Sequence, residues 1–103
     1  YTFMSGAADM ARAYALIGKK ADAARILNKV WADAKSYADY YLQLTGSRFM
    51  MSQNDVLRQL YIMQNIADIT QACDHSLADQ RLKTVNALYA VYQAKGGAPY
   101  DGE

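Results

Sequence analysis

At 103 residues, with 52% hydrophobic and 20% charged side chains and a single proline, the chain is sized for one soluble helical domain around one core. Its formal net charge of +1 is spread as six Lys or Arg against three Asp over residues 1–35 and five against seven acids beyond, which is too little and too dispersed for a nucleic-acid face. A lone cysteine, Cys73, excludes an internal disulfide, and no apolar run approaches the roughly 18 residues that cross a bilayer.

The chain opens at Tyr1 with no Met and no leader, which reads as a boundary inside a longer protein. A first helix is predicted over residues 6–17, with Ser5 as its N-cap and Asp9 in the first turn, where negative charge meets the positive helix end. Its apolar stripe is Ala7, Met10, Ala11, Tyr14 and Ile17. Gly18, Lys19 and Lys20 interrupt the periodicity. A second helix follows over 20–44, carrying Ala23, Leu27, Val30, Ala34, Tyr37, Tyr41 and Leu44, with Trp31 and Ala38 widening the stripe. A break near Lys35 and Ser36 is the alternative.

Together these two segments read as a helical hairpin, and its residue types resemble the tetratricopeptide repeat. Ala11 falls on that family's small position of the first helix, Tyr14 on the aromatic, Gly18 on the turn glycine and Ala23 on the packing alanine of the second helix. Leu27 and Val30 take the next bulky and small positions. Ala7 stands where the family has Trp, and Lys35 where it has Pro. The match spans about one repeat, and it implies that Ala11 and Ala23 let two backbones approach while Tyr14 and Leu27 fill the space beside them.

Thr45, Gly46 and Ser47 turn the chain into a third helix, predicted over 47–73, with a later start after Ser52 to Asn54 as the alternative. It carries two stripes, Val56, Leu60, Met63 and Ala67 on one side and Ile62, Ile66, Ile69 and Cys73 on another. Two stripes require two sets of neighbours, so this helix should be the most buried, between the second and the fourth. Ser76 with Asp79 forms a capping-box pattern opening a fourth helix over 77–95. Leu82, Val85, Leu88, Tyr89 and Tyr92 form its inner face, and Gln80, Arg81, Lys83 and Gln93 lie away from it. Gly96, Gly97 and Pro99 stop it. The expected organisation is thus an all-α, tetratricopeptide-like domain of about four helices over 1–97, with a mobile tail over 98–103.

Reactive groups are sparse. Cys73 and His75 are the only soft metal-ligand candidates, too few for a zinc site, and no cofactor is expected. They also sit at alternate positions, about 200° apart on a helix, which separates a thiol from its base. The single Glu is Glu103, the nine Asp are scattered, and Gly96 and Gly97 follow a helix where a phosphate cradle needs glycines leading into one. Catalysis within this stretch is therefore not expected. Of the aromatic cluster Trp31, Tyr37, Tyr40 and Tyr41, Tyr40 is least in phase with the core stripe. Tyr40, Lys19 and Lys20 are the candidates for a partner-binding face.

Residues 10–63, from the hairpin through SYADYYLQL to DVLRQLYIMQNIADI, also resemble the soluble carboxy-terminal region of a bacterial family of multi-pass membrane proteins of unknown function. The membrane half of that family is similar to lipid-linked-sugar glycosyltransferases, including protein O-mannosyltransferases. The resemblance implies a non-catalytic interaction or scaffolding module on a parent anchored in the bacterial inner membrane, with any glycosyl transfer performed by the membrane half. The expected partner is a protein, the rest of the parent chain or a second copy of this one, and neither nucleic acid nor direct membrane insertion. A soluble repeat adaptor is the alternative, and a subunit using Cys73 as a reactive thiol the alternative of another class.

Overall fold

A computed structural model describes residues 2–99, which form five helices and, among the described residues, no strand. They are α1 (Thr2–Leu16), α2 (Lys20–Leu42), α3 (Gly46–Met51), α4 (Gln53–Thr70) and α5 (His75–Ala94). The molecule measures 46 × 25 × 25 Å. None of the helices is long and apolar enough to cross a membrane.

α1 begins earlier than the expected 6–17, because Met4 lies one turn before Ala8 and is buried with Ala8 and Ala11. Ser5 is therefore an exposed helical residue rather than a cap. The buried face is also turned by roughly a quarter of the helix circumference from the expected stripe. Met4, Ala8 and Ala11 face inward, Ala7 and Tyr14 are half-buried, and Met10 and Ile17 are exposed. α1 closes on Gly18, whose φ of +84° suits glycine. The Gly18 amide donates to Ala15 O and the Lys19 amide to Tyr14 O, which satisfies carbonyls left free at the helix end.

α2 runs unbroken through Lys35 and Ser36, with a Lys35 Nζ to Asp39 Oδ2 pair at 2.8 Å over that point, and stops at Leu42 rather than residue 44. Ala23, Leu27, Val30, Ala34, Ala38 and Leu42 form its buried face. Tyr37 is exposed instead of core, since Ala38 beside it takes the inward position.

The expected 47–73 helix is two helices. At Ser52 the amide donates to Phe49 O at 2.9 Å and the hydroxyl donates to Arg48 O at 2.8 Å, tightening one turn before α4 starts afresh. α4 ends at Thr70, where the Cys73 and Asp74 amides both donate to Thr70 O. Cys73 thus lies in a turn. α4 is the central helix, packed against α2 on one side, α5 on another and α1 as well. Both predicted stripes are buried from Val56 to Ile69.

α5 starts two residues before the expected 77. Its cap is Asp74, whose Oδ1 accepts from the Leu77 amide at 3.1 Å, and Ser76 is an exposed residue of the first turn. The carboxylate one step before the helix takes the role expected of the Ser76 and Asp79 pair. After α5, the Ala98 amide donates to Gln53 Oε1 at 2.6 Å and Ala98 O accepts from the Tyr92 hydroxyl at 2.7 Å. Residues 100–103 of the expected tail lie outside the described residues.

Candidate functional site

The three residues expected to face a partner do not converge. Lys19 and Lys20 are exposed at the start of α2. Tyr40 is 49% exposed near its far end and edge-on to Tyr41 at 5.4 Å. Twenty helical residues separate Lys20 from Tyr40, about 30 Å at 1.5 Å each, so one small ligand cannot touch both. His75 is exposed at the first position of α5, and Cys73 is half-buried beside a cavity. Among the described residues, no group of three or more His, Cys, Asp or Glu is placed to hold a metal ion.

The polar centre of the molecule is a residue expected to point outward. Arg81 is only 5% exposed, in phase with Ala78, Val85 and Tyr92 on the buried face of α5. That spacing of three, four and seven was the available signal, and the rule that charges face solvent hid it. Its Nη1 donates to Thr70 Oγ1 at 2.8 Å, and Thr70 in turn donates to Ile66 O at 2.7 Å. Nη2 donates to Asn28 Oδ1 at 2.6 Å. The guanidinium carbon lies 5.1 Å from the centre of the Trp31 ring. One side chain therefore ties α5 to both α4 and α2.

Arg81 Nε is buried with no acceptor. No carboxylate among the described residues lies within ion-pair distance of Arg81; the ion pairs elsewhere include Arg25 with Asp22, Lys29 with Asp33 and Lys35 with Asp39. Burial lowers its pKa from the usual arginine value, partly opposed by the field of Asp74. Arginine keeps its charge at neutral pH nonetheless. The site is an ionised group taken out of water with Asp74 near it but no carboxylate in contact, which is costly.

Beside it is a cavity of about 310 Å³, walled by Lys20, Ala24 and Asn28 of α2, Thr70 of α4, Cys73 of the turn and Arg81. A wider cavity of about 600 Å³ lies against α2 and α4, where Asp33, Tyr37 and Tyr41 meet Phe3 and the buried Gln59, whose Oε1 also has no partner. Compared with known proteins, the chain matches no family model, no curated protein and no solved structure.

Proposed function

We propose that the chain is a non-catalytic, tetratricopeptide-like interaction module that receives a further helix of its own parent protein on the outer face of α1. One observation carries this reading. Phe3, Met10 and Ile17 are 80%, 54% and 70% exposed and spaced by seven, with Leu16, 80% exposed, beside them. Gly6 and Ala13 lie on the same face between the large residues. Large apolar side chains every seven positions with small ones between them form a seam that fits another helix, and the small residues allow close approach. α1 is thus apolar on two sides, and α2 and α4 cover only the other.

The resemblance of residues 10–63 supports placing this module on a membrane-anchored parent. Apolar runs of about 20 residues elsewhere in the full-length protein are then expected, and their absence would leave the soluble adaptor. The seam itself is tested by Met10→Glu with Ile17→Glu. In the 103-residue chain the pair should leave stability within about 0.5 kcal/mol, because both side chains face solvent. In the full-length protein it should release the helix packed there, read as new hydrogen exchange along α1. Full-length protein in which the double substitution changes nothing would refute the reading.

A further inference from the structure

A second cavity of about 600 Å³ lies in the groove between α4 and α5, walled by these two helices alone. Leu57 and Leu60 of α4 and Val85 and Tyr89 of α5 give it an apolar floor, and Arg58 is its only charged wall residue. Tyr61 stands at its edge with 77% of its surface exposed, a large aromatic left in water beside an apolar hollow. The exposed stripe of α4 that runs past this groove is Asn54, Arg58, Tyr61, Gln64 and Asp68, and its steps of four, three, three and four read the same in either direction from Tyr61. Such a stripe matches a copy of itself turned end for end. With α4 laid antiparallel on the α4 of a second copy about a two-fold axis at Tyr61, the two Tyr61 rings meet over the grooves, and Asn54 comes level with Asp68 of the second copy. Side chains on a helix lean toward its N-terminus, so the guanidinium of Arg58 swings back to the level of Asn54 and meets that carboxylate. Asp68 is exposed and enters no ion pair among the described residues. An arginine has five donors and can serve this acceptor besides others. Near the axis lie the amides of Gln64 and Asn86, each both donor and acceptor and so able to pair with its like.

We propose that the outer face of α4 and α5 is a self-association surface, on which a second copy of this chain docks antiparallel about a two-fold axis at Tyr61. A copy fits better than an unlike partner because the face is its own complement. Its charge reverses sign across Tyr61, from Arg58 to Asp68, and the groups at the axis are uncharged, so no like charges are brought together. The contact goes beyond the α1 seam and is independent of it, since α4 and α5 alone form it. From Asn54 to Asp68 the stripe is about 21 Å long at 1.5 Å per residue. Two helices of that length side by side make a patch at the low end of specific interfaces, so the dimer should be weak and reversible.

The test is sedimentation equilibrium and amide NMR of the 103-residue chain from about 10 μM to about 2 mM, the range in which a small interface associates. The chain should dimerise reversibly, with concentration-dependent shifts along residues 54–68 and at the side-chain amides of Gln64 and Asn86. Tyr61→Glu, at an exposed position that leaves the fold intact, should weaken the dimer at least tenfold by setting two carboxylates at the axis. Arg58→Asp should weaken it at least threefold, because each new carboxylate meets Asp68 of the other copy, and Arg58→Asp with Asp68→Arg should restore it. Met10→Glu with Ile17→Glu should leave it unchanged, so that this contact and the α1 seam stand or fall separately. A chain monomeric throughout that range, a dimer indifferent to Tyr61→Glu, a double reversal no tighter than the single one, or a dimer lost with the α1 pair would each overturn the proposal.

Discussion

Gly97 is the position where the smallest possible substitution should do disproportionate damage. A Cβ built on it would lie 2.5 Å from each Cε of the Tyr92 ring, inside any real carbon contact. The ring has nowhere to retreat, being fully buried, stacked on Tyr89 at 5.8 Å and tilted against Phe49 at 6.0 Å. The cheaper relief is for the segment after α5 to lift away, which breaks the Ala98 bond to Gln53 and the Tyr92 bond to Ala98. At about 0.5–1.5 kcal/mol net for each bond, Gly97→Ala should cost roughly 1–3 kcal/mol. For a domain of this size that lowers Tm by roughly 5–20 °C. Gly6→Ala is the control, since nothing lies within 4 Å of its Cβ and alanine in a helix interior should gain about 0.5–1 kcal/mol. Thermal and urea unfolding give the energies, and hydrogen exchange at the Ala98 amide tells whether the segment has lifted. A Gly97→Ala protein as stable as the parent, with that amide still protected, would refute the argument.

Four further substitutions probe the rest of the fold. Burial, aided by Tyr89, raises the pKa of the Tyr92 phenol above the ordinary tyrosine value, so the folded state holds this proton more tightly than the unfolded one. Its contribution is complete below about pH 10 and is lost as pH rises from there through the folded value. Tyr92→Phe should flatten the alkaline fall in urea midpoint, and parallel curves would show the phenol to be uninvolved. Arg81→Met should stay within about 1 kcal/mol of the parent, because Asn28 is exposed and can rehydrate while Thr70 keeps its bond to Ile66. A measured loss beyond about 3 kcal/mol would make the guanidinium a structural necessity. Asp74→Ala should cost about 1 kcal/mol through loss of the α5 cap, with Ser76→Ala near neutral in the same unfolding assay, and the reverse order would restore Ser76 as the cap.

Much of the architecture was legible because turn residues and apolar periodicity agree. Gly18 and Gly96 both adopt positive φ where the helices were expected to stop, and α4 is buried along both of the stripes that required two neighbours. Misreadings arose where size and burial part company. On α1 and α2 the large side chains of Met10, Ile17 and Tyr37 were assigned to the core, yet Ala8 and Ala38 are what allow two helix backbones to meet. Ser52 divides the expected 47–73 helix through a shared turn, and α4 begins at Gln53, within the alternative start after Ser52 to Asn54. Arg81 was missed for a different reason: its register with Ala78, Val85 and Tyr92 was readable, but the partners that make its burial tolerable, Asn28 and Thr70, lie 53 and 11 positions away and meet it only in the folded chain.

Five alanines, Ala8 and Ala11 on α1 and Ala23, Ala34 and Ala38 on α2, have no exposed surface at all. Rotating either helix by one residue, about 100°, would bring Asp9 and Arg12, or Lys35 and Asp39, into the slots of their alanine neighbours. Such a slip would strand ionised groups in spaces sized for a methyl. The seam therefore selects its own alignment by what lies one step along each chain, and a mismatched pairing is rejected electrostatically before packing is ever compared.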